Sequence, residues 1–135
     1  MNFPFLGYAT FATTWLETEF RAATPLHFQF VLGVKGAIPA RDDVVHYLRS
    51  LVPADATWAV AATGRFQQPM TELAMRLGGH VRVGLEDNMY LSRGVLAEGS
   101  APLVSRAAAY ARSVGRTPVD AQRARQLLGI ARQGR

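Results

Sequence analysis

One run of residues brings together groups that can do chemistry: His80-Val81-Arg82-Val83-Gly84-Leu85-Glu86-Asp87-Asn88. It holds a guanidinium, an imidazole and two carboxylates, with apolar residues at alternate positions. Read as a strand, it puts His80, Arg82, Gly84 and Glu86 on one face and Val81, Val83, Leu85 and Asp87 on the other. A strand facing a core does not usually carry a cation and an anion, because burying a charge is costly unless it is paired or metal-bound. The pattern predicts a buried strand over 80–85 that ends in carboxylates at a functional site, with Gly84 leaving room between Arg82 and Glu86. The plainer reading is an intrastrand Arg82–Glu86 ion pair, but four residues along a strand span about 13 Å, too far for contact. Asp87-Asn88 has its own plain reading, as a cap on the turn that follows.

The elements that must position this run form strand–helix units. Residues 27–34 are a β-rich apolar run, and Gly36 and Pro39 mark a turn. Asp42 and Asp43 suit a first helical turn, Val44, Val45, Leu48 and Leu51 follow at helical spacing, and Pro53 stops the helix. A second strand is expected over 57–63. A loop over 64–68 follows, and then a helix that Pro69 opens and Gly78-Gly79 close. The third unit begins with the strand at 80–85 and continues through a polar loop to about residue 100. Ser100 and Pro102 open a helix carrying Leu103, Val104, Ala107, Ala111 and Val114, and Gly115 ends it. Thr117-Pro118 opens a last helix, with Val119, Ala121, Ala124, Leu127 and Leu128 as its candidate buried side. Residues 1–24 fit less well: Phe3, Phe5 and Leu6 suggest another strand, and 10–23 the helix after it.

Strands alternating with helices at this spacing imply βαβ units and a parallel sheet, with right-handed crossovers placing every helix on the same side. Such a sheet is either a small open α/β domain or the C-terminal portion of a (β/α)8 TIM barrel. Helices on one face, with residues of one parity lining an interior, favour the barrel.

Composition narrows the chemistry. The chain has 135 residues, 49% of them hydrophobic and 19% charged, as expected for one globular domain. It has no cysteine, which removes disulfides, thiolate zinc sites and cysteine nucleophiles, so a metal would need His, Asp or Glu. Residues 1–16 carry no charge but are too short to span a bilayer. They are broken by Pro4 and Gly7 and lack the basic start of a signal peptide, so a soluble, cytoplasmic protein is expected. The net charge of +5 comes from the C-terminal region, where Arg106, Arg112, Arg116, Arg123, Arg125, Arg132 and Arg135 face a single acid, Asp120. Clustered arginine is a phosphate-binding footprint. With only Tyr110 as an aromatic there, base stacking has little support, and a solvated face on surface helices is the preferred reading.

The runs Pro25–Val34, Thr57–Ala62, Gly64-Arg65-Phe66-Gln67 and Gly79–Leu91 together resemble the C-terminal half of the β-keto acid cleavage enzymes. This family includes the 3-keto-5-aminohexanoate cleavage enzyme of lysine fermentation. The likeness runs in order from about Pro25 to Ile130. It divides the chain into residues 1–24, which match only loosely as a fifth strand and helix, and 25–135, a half barrel of three to four β/α units plus a C-terminal helix. The resemblance implies a zinc-dependent (β/α)8 acyltransferase that exchanges an acyl group between a β-keto acid and acetyl-CoA by a retro-Claisen route, yielding acetoacetate and a new acyl-CoA. It makes 28–34, 57–63 and 80–85 the last three barrel strands, with the active site at their C-terminal ends.

The resemblance also implies roles. Glu86 matches the family's last-strand zinc ligand. Arg82 and Asp87 match catalytic positions: Arg82 to stabilise an enolate or carboxylate, Asp87 to move a proton or orient the arginine. Arg65 and Gln67, and Lys35 in the loop after the first clear strand, are candidate contacts to CoA phosphates or else exposed polar loop residues. The family's other zinc ligands form a His-x-His pair on an early strand. His27, His46 and His80 form no such pair and are assigned to structure. The expectation is therefore a truncated or split member whose missing N-terminal half carries the metal side, inactive alone. The competing expectations are a non-catalytic half-barrel module that self-associates as a homo-oligomer, and an arginine-tail nucleic-acid binder.

Overall fold

The structure, a computed structural model, describes Asn2–Phe3 as a strand and residues 26–130 in full. Four parallel strands lie side by side in chain order: β1 (Asn2–Phe3), β2 (His27–Leu32), β3 (Thr57–Ala62) and β4 (His80–Val81). The register pairs Asn2 with Gln29, Gln29 with Ala59, and Ala59 with His80. Helix α1 (Asp42–Ser50) connects β2 to β3, and α2 (Gln67–Arg76) connects β3 to β4. The chain then forms a hairpin of β5 (Tyr90–Ser92) and β6 (Val95–Leu96), followed by α3 (Ser100–Ser113) and α4 (Ala121–Leu127). This is a mixed α/β fold built on a parallel sheet, as the alternation of strand and helix patterns predicts. The candidate strand residues Phe5 and Leu6 and the expected helix over 10–23 lie outside the described residues.

The period-2 pattern of β2 sorts its side chains cleanly. Phe28, Phe30 and Leu32 are buried, while His27, Gln29 and Val31 are half-buried. The buried set joins Trp58, Val60 and Ala62 of β3, Val45 and Leu48 of α1, and Met70, Leu73 and Ala74 of α2 in one core. Each large side chain closed off there contributes about 1.5–3 kcal/mol. Both crossover helices thus sit on one face of the sheet. On the other face His27 and His80 meet with ring centroids 6.2 Å apart, and Nδ1 of His27 lies 2.7 Å from the Thr57 hydroxyl. Partial desolvation lowers both imidazole pKa values below the ordinary histidine value; the neighbouring His80 adds to the effect at His27, and Arg116 adds to it at His80, the more exposed of the two.

Several elements differ from expectation. The strand expected over 80–85 stops at Val81, and its residues are half-buried or exposed rather than buried. Arg82 N still donates to the Val60 carbonyl (3.0 Å), but the Gly84 carbonyl then accepts from Asp87 N and Asn88 N, which curls the chain into a turn. No strand among the described residues flanks β4 on its outer side, so nothing extends the ladder. The face that His80, Arg82, Gly84 and Glu86 would share is therefore not formed, because the strand ends at Val81. Among the described residues a Cβ on Gly84 would meet only the Ser100 hydroxyl at 3.5 Å, an ordinary contact, so their packing does not require a glycine there.

Gly64–Phe66 forms a short 3₁₀ turn that runs straight into α2 at Gln67, rather than a loop ending at Pro69. Proline is tolerated at Pro69 because the first four helical N–H groups have no intrahelical partner. The presumed polar loop before residue 100 contains the β5–β6 hairpin, turned by Gly94 at φ 77°. Helix α4 starts one turn later than expected, capped by the Asp120 carboxylate, which accepts from Arg123 N at 2.7 Å. Its expected buried side is open: Val119 and Leu127 are exposed. Gly79 has a packing reason that the sequence did not announce, since a Cβ there would fall 2.7 Å from the Trp58 ring. Among the described residues no helix is long and apolar enough to cross a membrane.

Candidate active site at the sheet's carboxyl edge

In a parallel sheet all strands end at the same edge, and the loops after β2, β3 and β4 converge there. Gly33, at φ 80°, ends β2 so close to its neighbours that a Cβ would lie 2.9 Å from the Phe66 ring and 3.2 Å from the Thr63 hydroxyl. Gly64 N, at the end of β3, donates to the Asp87 carbonyl at 2.7 Å. The β4 turn is thereby tied to the β3 loop.

Arg82 and Asp87 meet at this edge. Nη2 of Arg82 donates to both carboxylate oxygens at 2.8 and 3.0 Å, and Nε donates to Oδ2 at 3.1 Å. The Asp87 side chain is 8% exposed and the Arg82 side chain 36%. The carboxylate is thus buried behind the guanidinium, which keeps one side toward solvent. Charge-assisted forks of this kind fix orientation as well as adding energy. Nη1 of Arg82 has no partner among the described residues and is the donor left for an incoming oxygen. Glu86 is exposed on the same turn, and its carboxylate also has no partner among the described residues.

Polar side chains hold the turn. Gln67 is fully buried and donates through Nε2 to the Gly84 carbonyl at 3.1 Å. Its Oε1 lies 3.4 Å from Asn88 Nδ2. Asn88, 8% exposed, accepts from Tyr90 N at 3.0 Å and donates to the Tyr90 carbonyl at 2.6 Å. The Ser100 hydroxyl, at the start of α3, accepts from Leu85 N at 3.2 Å. No buried side-chain nitrogen or oxygen among the described residues is left without a partner.

The structure thus brings Arg82, Asp87 and Glu86 onto one turn. It places Gln67 beneath them with its amide already bonded, out of reach of a phosphate arriving from solvent. Arg65 is exposed at the 3₁₀ turn, with its guanidinium 4.9 Å from the Phe66 ring centre. It lines a cleft between that turn, the hairpin and α3, together with Arg93 and Arg106. Lys35 is exposed in the loop after β2 and is not among that cleft's lining residues. The buried struts Gln67 and Asn88 escaped sequence reasoning as positioning groups. The turn-forming habit of asparagine was the available signal for Asn88, and Gln67 had none. Among the described residues no group of three His, Asp or Glu side chains could hold a metal ion. Glu86 is one oxygen donor where a catalytic zinc normally has about three protein ligands, so the described residues alone do not fit a zinc site.

Comparison with known proteins identifies the family. A family model described as beta-keto acid cleavage enzyme matches residues 6–130. The 3-keto-5-aminohexanoate cleavage enzyme of Fusobacterium nucleatum is 44% identical over 106 residues, covering 78% of this chain and 38% of the relative. The 3-oxoadipate:acetyl-CoA acetyltransferase of Cupriavidus necator is 47% identical over 109 residues, covering 78% and 38%. The 3-dehydrocarnitine:acetyl-CoA trimethylamine transferase of Rhizobium meliloti is 31% identical over 129 residues, covering 94% and 42%. The chain spans about two fifths of the length of the curated relatives it matches. The family model spans most of the chain, and the chain belongs to the β-keto acid cleavage enzyme family.

Proposed function

We propose that this chain supplies the arginine side of an enzyme that exchanges acyl groups between a β-keto acid and acetyl-CoA, releasing acetoacetate and a new acyl-CoA. The carrying observation is the Arg82–Asp87 fork at the carboxyl edge of a parallel sheet. Carbon–carbon cleavage of a β-keto acid leaves negative charge on an enolate oxygen, beside a carboxylate that must be held. A part-exposed guanidinium fixed by Asp87, with Nη1 unbonded among the described residues, offers a preorganised donor to either oxygen. Because both Asp87 oxygens accept from Arg82, Asp87 acts here as the group that orients the arginine rather than as a proton carrier.

In the same proposal β2, β3 and β4 are the last three strands of a (β/α)8 barrel and β1 belongs to the strand before them, while the earlier strands lie elsewhere in the whole protein or in a partner chain. The divide into residues 1–24 and a half barrel over 25–135 belongs to this reading. Glu86 is proposed as a single ligand to a zinc ion whose remaining ligands lie outside the described residues. Chemistry derived from this chain alone therefore rests on Arg82 and Asp87. Arg65 and Lys35, exposed on neighbouring strand-end loops, are proposed to meet CoA phosphates. Gln67 serves them indirectly by holding the turn.

Two measurements test this reading. The chain, supplied in trans with the N-terminal three fifths of the Fusobacterium nucleatum relative, is expected to form acetoacetate from acetyl-CoA and a β-keto acid. Arg82→Gln should cut that rate by about 10²–10³. Absence of product, or an unaffected rate in the variant, would remove the reading. Calorimetric zinc titration of the same assembly against Glu86→Gln tests the ligand: one-to-one binding lost in the variant supports it, and unchanged binding rejects it.

A further inference from the structure

A cleft of about 820 Å³ lies between the 3₁₀ turn, the β5–β6 hairpin and α3. This is within the size range of small-molecule sites. Arg65, Arg93 and Arg106 line it, and among the described residues no Asp or Glu does. Arg65 and Arg93 are exposed, and none of the three forms an ion pair among the described residues. Arg106 donates through Nη1 to the Leu91 carbonyl, which anchors its guanidinium at the wall while other donors of the fork remain. Gathering three like charges around one concavity is unfavourable in itself and becomes favourable when an anion sits among them. One wall is not charged: Tyr90, 46% exposed, and Leu91 belong to the same lining and offer an aromatic ring and an apolar surface.

The cleft also adjoins the strand-end site. Asn88 lines it, and Gly64, another lining residue, accepts the tie from Asp87 by donating its N–H to that residue's carbonyl. A long ligand can therefore place one end at Arg82 and a polyanionic end among the arginines. We propose that this cleft binds the adenosine 3′,5′-bisphosphate end of the acyl-CoA co-substrate, with Arg93 and Arg106 joining Arg65 on the phosphates and Tyr90 against the base. Guanidinium forks match phosphate oxygens, and a purine stacks on an aromatic ring without sequence-like specificity. This inference rests on the acetyl-CoA reading for the identity of the ligand, but its residues lie outside the Arg82–Asp87 pair.

The test is calorimetric titration of the purified chain with adenosine 3′,5′-bisphosphate, in parallel with inorganic pyrophosphate. Expected is one-to-one binding of the bisphosphate, weakened by added salt and weakened about ten-fold in Arg93→Gln. Arg93 is used because it is exposed and makes no contact on which the hairpin depends. Arg112→Gln, an exposed arginine on the far part of α3, should bind as the parent does. Absence of bisphosphate binding, equal binding in Arg93→Gln, or pyrophosphate binding as tightly as the nucleotide would each overturn the assignment. The reaction fails separately. Bisphosphate binding without acetoacetate formation keeps the cleft and removes the acyl exchange. Exchange with an unchanged KM for acetyl-CoA in Arg93→Gln keeps the reaction and removes the cleft.

Discussion

The β3–α2 and β4–α3 units start from the same plan and end differently. In the first, a six-residue strand pairs with a neighbour along its whole length, and the chain enters its helix after residues 63–66. In the second, the strand has two residues, and residues 82–99 intervene before α3. β3 has strands on both sides, whereas β4 has one on its inner side only among the described residues. Where no second ladder exists, side-chain amides and a hydroxyl take over the positioning: Gln67, Asn88 and Ser100 hold the turn that carries Arg82 and Asp87. The comparison teaches that the core unit is shaped by apolar burial and the site unit by polar bonds.

Substitutions can break this contrast. Leu73→Ala in α2 removes a side chain 6% exposed in the shared core and should cost about 2–5 kcal/mol. Chemical denaturation should show the loss as a lower midpoint for the whole domain. Asn88→Ala removes both bonds to Tyr90 and the contact with Gln67. It should cost about 1–3 kcal/mol. The loss should be local: amide exchange should quicken over 84–96 while β2 and β3 stay protected. A uniform rise in exchange would mean that the turn and the core form one cooperative unit.

The smallest effect concerns the histidines on the sheet's other face. Both have pKa values held below 6.5 in the folded chain, so the unfolded chain binds more protons below that pH. Stability should be flat above about pH 6.5, fall as the pH drops through that value, and level off below the folded values. His80→Gln should flatten the slope, as read from denaturation midpoints across that range. An unchanged slope would place the pH dependence elsewhere.

Much of this architecture can be read from residue order. The alternation in His27–Leu32, the acids that start α1, the glycines that end α2 and α3, and the arginine and carboxylates at 82–87 are local signals. Each acts through its own backbone preference or side-chain period. The identities of Arg82, Glu86 and Asp87 as one cluster were legible for the same reason: they are near in sequence, so any compact turn keeps them near in space.

What only the tertiary structure decided depends on distant partners. The length of β4 follows from which strands flank it, and no property of Val81-Arg82-Val83 reports that. The Arg82–Asp87 fork exists because the chain turns after the strand; in an extended run the two residues would point to opposite faces and stand far apart. Gln67 became a buried strut because α2 begins before Pro69 and brings its amide under Gly84. The arginines of the cleft are separated in sequence and gathered by the hairpin and α3. Helix α4 shows the reverse case: its apolar spacing predicted a buried side, yet Leu127 is exposed, because a pattern states which residues could pack together and only a neighbouring surface decides whether they do.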